Sequence, residues 1–301
     1  MNSSLSPCRE TLRGICRGCG AVAVGFARAE AVAPDHAAAF RSMIADGRHG
    51  TMAYLERNVD MRLDPRLLLE GAATVVSMAF PYDVSARHPL IASYALGLDY
   101  HRVLPARLVP AVEYLNSFGG VARVCVDSAP VLERYWAVRS GVGYIARNHM
   151  LCVPGMGTGV FLAEIITSAE FEADSPCETS CEGCDRCMEV CPHGALRPDA
   201  AFDARRCVSY LTTEYRGDTF PEGLDTAGMV CGCDRCTRVC PVASVADSPC
   251  PLDEFRPLRP ILGLSREDLS VITRGQFRNL FENTAISRLN PRQIKRNSIL
   301  T

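Results

Sequence analysis

CEGCDRCMEVCP, at residues 181–192, is the stretch that decides the fold of this chain, and CGCDRCTRVCP at 231–241 repeats part of its spacing. The Cys-x2-Cys-x2-Cys-x3-Cys-Pro order of the first run is typical of bacterial ferredoxins. A tight loop can aim three thiolates at three irons of one cube. The proline then redirects the chain, so the fourth cysteine reaches the neighbouring cube. The two runs therefore predict two [4Fe–4S] clusters.

The spacing also predicts which cysteines share a cube. The first set combines the first run with the last cysteine of the second run: Cys181, Cys184, Cys187 and Cys240. The second set takes the remaining motif cysteines: Cys191, Cys233 and Cys236. Its fourth ligand is either Cys207 or Cys231, and Cys207 is preferred because Cys231 is only two residues from Cys233. The alternative is zinc, but four-cysteine zinc sites favour two separate CxxC knuckles.

Bulk composition narrows the class of protein. The net charge of −2 across 301 residues is far from that of a protein that holds nucleic acid by charge alone. No uncharged apolar stretch is long enough for a membrane span, and the N-terminus carries charges where a signal peptide would be apolar. A cytoplasmic location without a membrane partner is therefore expected. Sixteen cysteines in a reducing compartment indicate metal ligands rather than disulfides.

Three segments differ in pattern. Residues 1–170 alternate predicted strands, at 73–80, 121–126 and 160–166, with predicted helices, at 1–50, 104–118 and 130–140, so we expect an α/β or α+β domain. Residues 171–250 are dense in Cys, Pro and Asp and should need metal to fold. Residues 251–301 form a helical tail, with predicted helices at 265–272, 274–283 and 292–300.

Many motifs occur in the order found in one family: HGTMAYLERN (49–58), RLDPR (62–66), YALGLDYHRVL (94–104), VDSAPVLER (126–134), GVGYIARNHML (141–151), GTGVFLAEI (157–165), DARRCVSYLTTEYRG (203–217) and ENTAISRLNPRQIKRNSIL (282–300). With the cysteine runs, the chain resembles the epoxyqueuosine reductases, cobalamin-dependent iron–sulfur enzymes of queuosine biosynthesis in tRNA. It resembles a short member, without the helical repeats that follow RNSIL in many relatives.

The resemblance implies a cobalamin-binding catalytic domain at 1–170, a ferredoxin-like domain at 171–250 and the tail at 251–301. Base-off cobalamin would lie between the first two domains and receive the cluster electrons. The epoxide oxygen of epoxyqueuosine would then be removed. Asp127, in VDSAP, would donate a proton, which a carboxyl can do near neutral pH if burial raises its pKa. The resemblance also implies Cys207 as the second-set ligand.

Further site residues follow from the family motifs. The residues implied to line the cobalamin site are Arg62, Asn148, His149, Phe161 and Ser209. Tyr100 and His101 would face substrate or cobalamin, and Arg216 would meet a tRNA phosphate. The chain has Ala146-Arg147 where the family has Gly-Lys. Surface charge, a turn or core packing are the plain alternatives for these residues.

The implied partners are tRNA with a queuosine-type anticodon loop and a low-potential electron donor such as ferredoxin or flavodoxin. Two other functions remain open at this point. A paralogue could reduce a different electrophile, or the chain could be an electron-transfer protein that reduces a partner's corrinoid.

Overall fold

The computed structural model describes residues 6–181, 183–198, 200–242 and 252–300. The predicted boundary at residue 250 lies outside them. The described strands are β1 (Ala23–Arg28), β2 (Thr74–Pro81), β3 (Ala122–Cys125), β4 (Tyr144–Ile145), β5 (Leu151–Cys152) and β6 (Val160–Thr167). Four of them form a sheet in the order β1-β2-β6-β3, and β4 pairs with β5. Every described pairing in the sheet is antiparallel, which favours the α+β alternative.

The strands expected at 73–80, 121–126 and 160–166 are confirmed by β2, β3 and β6. The uniform helix expected over residues 1–50 is wrong at β1. Four consecutive residues of β1 are buried, so the strand shows no alternation of apolar and polar positions. Gly25 also lowers its strand propensity. A Cβ at Gly25 would lie 1.9 Å from the carbonyl oxygen of Ser140, so close packing requires the glycine.

Short helices surround the sheet. They are α1 (Arg9–Gly18), α2 (Pro34–Ala45), α3 (Val59–Leu63), α4 (Tyr100–Arg107), α5 (Val109–Asn116), α6 (Glu133–Arg139), α7 (Arg186–Glu189), α8 (Val208–Thr213), α9 (Arg235–Arg238), α10 (Arg259–Leu262), α11 (Arg266–Val271), α12 (Arg274–Phe281) and α13 (Pro291–Ile299). The single helix expected at 104–118 is two helices. Pro110 has no N–H to continue the ladder, and the chain breaks at Leu108.

The sheet is covered on both faces. Helices α1 and α5 pack together against it, over a core that includes Phe26, Phe80 and Leu115. Helix α6 packs across β1, β2 and β6, over a second core around Trp136. The catalytic candidate Asp127 lies in the loop between β3 and α6. This loop is therefore anchored at both ends by buried elements.

The tail packs on the rest of the chain. Ile261, Leu269 and Phe281 share one apolar cluster with Ile91 and with Cys231 of the second cysteine run. Ile91 and Cys231 also form a parallel β-bridge. The cluster segment, the tail and the loop before α4 are thus joined by one core. The helices expected at 265–272, 274–283 and 292–300 are confirmed by α11, α12 and α13.

In the part of the chain that the structure describes, every helix is too short or too polar to traverse a lipid bilayer.

Candidate functional site

Asp127 occupies a strained turn directly after β3. Its φ of 52° lies in the left-handed region, which few residues other than glycine adopt. Its backbone N–H donates to the carboxylate of Glu133, the first residue of α6. Its side chain remains 55% exposed. The turn therefore presents the Asp127 carboxylate to an open cavity while the carboxylate of Glu133 holds its main chain.

Two carboxylates flank one imidazole at this position. His101 Nδ1 lies 2.6 Å from Asp99 Oδ1, and His101 Nε2 lies 2.7 Å from Asp127 Oδ2. The Tyr100 hydroxyl donates to the same Asp127 oxygen at 3.1 Å. Asp99 caps α4 and accepts from the backbone N–H of His101, so the local helix start fixes the imidazole.

The charges in this group decide where the proton resides. Burial alone would lower the pKa of His101, but its hydrogen bonds to Asp127 and Asp99 outweigh burial and raise it. Burial alone would raise the pKa of Asp127, but the hydrogen bond and charge of His101 lower it. The condition that burial raises the pKa of Asp127 is therefore not met, because the contact with His101 outweighs burial. Both shifts favour the state in which His101 carries the proton beside an ionised Asp127.

The Asp127 cavity has a volume of about 190 Å³ and an aromatic wall. The rings of Tyr100 and Phe161 stack with centroids 4.2 Å apart, and Tyr82 lies 4.9 Å from Phe161. Glu133 lines the same cavity. A flat apolar wall opposite a carboxylate suits a ligand with a large planar face and a reacting polar atom.

The cysteines expected to share the first cube lie together. Burial raises the pKa of Cys187, and the negative charges of Cys181, Cys184 and Cys240 raise it further. All four line one cavity of about 240 Å³, the Cys181 cavity. Four thiol groups that line one cavity form a site for positive iron, which would offset the repulsion between their charges.

The second set also converges. The pKa of Cys236 is raised to about 12. Burial is the largest cause, and the negative charges of Cys233, Cys207 and Cys191 add to it. Cys187 of the first set acts on it too, so the two groups adjoin. Cys207 is the N-cap of α8, and the charge of Cys191 contributes to its raised pKa, after burial.

Cys231 lies elsewhere. It is 2% exposed within the apolar cluster of the tail, and burial alone raises its pKa to about 12. The geometry therefore favours Cys207 over Cys231 as the fourth member of the second set. Over the described ranges, no three His, Cys, Asp or Glu side chains converge closely enough to hold a single metal ion. A cube places each thiolate on a different iron and does not require such convergence.

Two of the residues expected at cobalamin carry unpaired donors. Arg62 Nε and Asn148 Nδ2 are buried and find no hydrogen-bond partner within the described parts of the chain. Charges of Asp127 and Glu133 act on Arg62, so its guanidinium lies near the Asp127 cavity. Asn148 lines the Cys181 cavity, and Met150, two residues on, lines the Asp127 cavity. Two orphaned donors, together with the aromatic wall of the Asp127 cavity, fit a corrin ring with its amide side chains.

The other expected contacts are placed less directly. Phe161 belongs to the aromatic wall. His149 is exposed, and its ring lies 5.4 Å from that of Phe202. Ser209 lies in the first turn of α8, after Cys207. The roles of these residues at cobalamin stay predictions.

The last two positions singled out by the motifs have partners within the chain. Arg216 donates to the Gln293 side chain in the tail, and its contact with tRNA phosphate stays a prediction. Ala146 lines the Cys181 cavity, and Arg147 Nη1 lies 2.7 Å from Asp185 Oδ1.

Sequence reasoning missed two site residues. Glu133 supports the Asp127 backbone, and Glu164, on β6, lies fully buried near it. Glu133 was visible in VDSAPVLER as a carboxylate six residues after Asp127. Glu164 gave a weaker signal, as a lone acidic residue inside the apolar strand VFLAEIIT. Such a residue is unusual in a buried strand unless it is paired.

Two family models match the chain. The model described as "4Fe-4S double cluster binding domain" matches residues 180–243. The model described as "Epoxyqueuosine reductase QueG, DUF1730" matches residues 62–128. The first match covers all the motif cysteines. The second ends one residue after Asp127 and contains Arg62, Tyr100 and His101.

Named relatives and solved structures agree with these models. The epoxyqueuosine reductase of Cyclobacterium marinum is 34% identical over 83% of this chain and 82% of its own length. That of Gloeobacter violaceus is 31% identical over 98% and 95%. A crystal structure of epoxyqueuosine reductase with an epoxyqueuosine-modified tRNA-Tyr stem loop matches with a TM-score of 0.88 and 29% identity, over 97% of this chain and 80% of that one.

A second structure, of the epoxyqueuosine reductase from Bacillus subtilis, has its catalytic aspartate loop swung out of the active site. It matches with a TM-score of 0.85 and 28% identity, over 97% of this chain and 80% of that one. The assignment rests on identity above 30% over more than four-fifths of the chain and on two family models. The fold, with its antiparallel sheet, also matches that of these enzymes. The chain belongs to the epoxyqueuosine reductase family.

Proposed function

We propose that this chain reduces epoxyqueuosine in tRNA to queuosine, as an oxidoreductase with two [4Fe–4S] clusters and base-off cobalamin. The observation that carries the proposal is the Asp99–His101–Asp127 chain, which ends in an open cavity walled by Tyr100 and Phe161. The solved relative with an epoxyqueuosine-modified stem loop supports tRNA as the substrate. A low-potential ferredoxin or flavodoxin is the proposed donor, and the cytoplasm the proposed location.

The overall reaction consumes two electrons and two protons. The epoxide loses its oxygen as water, and the two ring carbons become an alkene. Each cluster carries one electron at a time, so two clusters match the electron count. In this proposal Cys181, Cys184, Cys187 and Cys240 hold the first cluster, and the second is held by Cys191, Cys207, Cys233 and Cys236.

Cobalamin, when bound, would supply a strongly reducing centre for opening the epoxide. Arg62 and Asn148 would bind its polar periphery through their unpaired donors, and Phe161 would support its ring face. His149 and Ser209 are the further proposed contacts. The aromatic wall excludes water from the reacting atoms.

The chain's own residues supply one of the two protons, and the second comes from solvent. His101 holds the first at Nε2, 2.7 Å from the Asp127 carboxylate. As negative charge develops on the epoxide oxygen, Asp127 takes a proton from His101 and passes it to that oxygen. Asp99 stabilises the positive imidazolium from the opposite side. This order lets Asp127 act as donor although its pKa in the free enzyme is lowered.

The Asp127 loop moves during the catalytic cycle. The Bacillus subtilis relative with its catalytic loop swung out supports such motion, and so does the left-handed backbone of Asp127. An outward loop would admit the modified nucleotide, and an inward loop would deliver the proton.

One reconstitution tests the function. Anaerobically prepared, cluster-loaded protein receives cobalamin, a strong chemical reductant and tRNA that carries epoxyqueuosine. Mass spectrometry of the digested nucleosides should show queuosine, and omission of cobalamin should prevent its formation. Retained cobalamin without conversion would favour a different electrophile. A protein that retains no cobalamin yet reduces a partner's corrinoid would be an electron-transfer module.

A further inference from the structure

Both cysteine runs contain the same four residues, Cys-Asp-Arg-Cys, at 184–187 and 233–236. In each copy the aspartate lies between two cysteines of one proposed cluster set. The two aspartates differ in exposure, because the side chain of Asp185 is 51% exposed and that of Asp234 is 7% exposed. Each of them contacts a residue that precedes the cysteine-rich segment by many positions. The aspartates therefore link the two cluster loops to the first part of the chain.

Asp185 forms an ion pair with the turn between β4 and β5. Arg147 Nη1 lies 2.7 Å from Asp185 Oδ1, and the Arg147 side chain is 31% exposed. Arg147 and the adjacent Asn148 line the Cys181 cavity, where the first cluster is proposed. Met150, at the end of the same turn, lines the Asp127 cavity. The ion pair thus joins the first cluster loop to a turn that reaches both cavities.

Asp234 bonds to the loop before α4. The backbone N–H of Ser93 donates to Asp234 Oδ2 at 3.0 Å, and Ser93 Oγ lies 2.9 Å from the same oxygen. Arg238 Nε lies 2.9 Å from Asp234 Oδ1. Gly232 has a φ of 69°, and a Cβ at this position would lie 2.8 Å from the ring of Tyr94, which lines the Asp127 cavity. The second cluster loop is therefore packed directly behind the wall of that cavity.

The two loops differ in where their compensating charge comes from. A [4Fe–4S] cluster becomes more negative when it accepts an electron, so nearby charges and hydrogen bonds set its reduction potential. At the first cluster, Asp185 is compensated by Arg147 from the β4–β5 turn, and Arg186 lines the same cavity. At the second, the buried Asp234 is compensated by Arg238 of its own run. Removal of either member of a pair leaves one uncompensated charge beside one cluster.

We propose that these two docking contacts set the reduction potentials of the two clusters separately, through Asp185 with Arg147 and through Asp234 with Arg238. The four are positioning residues, because they act through the clusters and do not touch the substrate. The inference rests on the two clusters of the proposed function, and it does not depend on epoxyqueuosine as the substrate.

The test is an anaerobic redox titration of cluster-loaded protein without cobalamin or tRNA, followed by electron paramagnetic resonance. In Arg147→Gln the charge of Asp185 is uncompensated, so the ratio of reduced to oxidised first cluster at the wild-type midpoint should fall about threefold to tenfold. In Asp185→Asn the charge of Arg147 is uncompensated, and the ratio should rise by a similar factor. The double variant lacks both charges and should return close to the wild type. Arg147→Lys keeps the charge and should change little.

The second cluster is tested through its own aspartate. Asp234→Asn keeps an oxygen that accepts from Ser93 but removes the charge, so the ratio of reduced to oxidised second cluster should rise about tenfold. The first cluster should keep its midpoint. The signal that changes in Cys207→Ala identifies the second cluster. If Asp234→Asn does not retain its iron, Arg238→Gln takes its place, and the ratio should then fall.

Asp253→Asn is the matched control, because it removes one member of an exposed ion pair, with Arg256, that lies outside both cysteine runs. It should leave both midpoints unchanged. Shifts of the same sign in Arg147→Gln and Asp185→Asn, or unshifted midpoints in variants with full iron content, would overturn the inference. If the potentials shift as expected and the wild type converts no epoxyqueuosine, the proposed function fails and the role of the docking contacts stands.

Discussion

At the scale of single residues, the position of one proton separates this site from a simple buried acid. Asp127 is half exposed and ionised in the free protein, while His101 beside it is almost fully buried and has a raised pKa. In the proposed reaction the proton is thus stored on His101, and Asp127 delivers it to the substrate. Asp99 makes that storage possible, because it offsets the cost of a buried imidazolium.

Asp127→Asn should lower the rate of epoxyqueuosine conversion by about 10²- to 10⁴-fold, the usual contribution of a positioned general acid. The amide cannot pass a proton from His101 to the epoxide oxygen. Affinity for the tRNA should change little, as a binding assay would show. Asp253→Asn, on an exposed side chain, is the control. Full activity of Asp127→Asn with intact clusters would contradict its assigned role.

Asp99→Asn should lower the pKa of His101, because one of the two charges that stabilise the imidazolium is removed. Conversion depends on the protonated imidazole, so the decline of kcat/KM with rising pH should begin at a lower pH than in the wild type. Histidine NMR gives the pKa directly. Asp35→Asn, which removes the exposed partner of His36, should move neither quantity. An unchanged pH profile would exclude His101 as the proton store.

At the scale of elements, α8 joins the two halves of the site. The helix begins after Cys207, in the second cysteine set, and Glu214 at its C-terminal end experiences the charge of Asp127. The parallel bridge between Ile91 and Cys231 ties the second cysteine run to the loop before α4. Cys231 therefore packs in the apolar cluster of the tail, and Cys207 is the proposed metal ligand.

Cys207→Ala and Cys231→Ala should separate these roles. The first removes a corner of the second cube, so bound iron should fall by about half. The second should keep its iron and lose about 1 kcal/mol of unfolding free energy, since a small buried group is deleted. Iron analysis and electron paramagnetic resonance of the reduced proteins decide the point. Iron loss in Cys231→Ala with retention in Cys207→Ala would reverse the assignment.

Sequence reasoning reached the elements and residues whose signals are local. Each cysteine run, β2, β3, β6 and the tail helices follow from spacing or periodicity within a few turns. Strand β1 did not, since its glycine is explained only by the approach of Ser140 from a distant helix end. The protonation of Asp127 could not be foreseen either. It depends on His101, which is 26 residues away in the chain and reaches Asp127 only in the fold.

At the scale of the whole molecule, the tail completes the cluster region. Asn297, fully buried in α13, donates to the carbonyl oxygens of Thr212 at 2.9 Å and Val230 at 2.8 Å. Arg296 beside it donates to the carbonyl of Leu211 at 2.9 Å. Through these bonds, α13 holds both the C-terminal end of α8 and the start of the second cysteine run.

Asn297→Ala should lower the free energy of unfolding by about 2–4 kcal/mol, because two buried carbonyls lose their donor. Cluster loss on mild heating should accelerate as well. Anaerobic denaturation followed by circular dichroism and by visible absorption measures both effects. Arg292→Ala, an exposed change in the same helix, should stay within about 0.5 kcal/mol of the wild type. Equal stability of the two variants would show that α13 does not secure α8.

Helix α8 also fixes the separation between the second cysteine set and the Asp127 cavity. Six helical residues rise about 9 Å, and the bonds from α13 prevent the helix from tilting or fraying. In the proposed reaction, electrons that leave the second cube toward the Asp127 cavity would therefore cross a constant distance. The timing of that reaction would then be set at its two ends, by the arrival of the proposed external donor and by the proposed motion of the Asp127 loop.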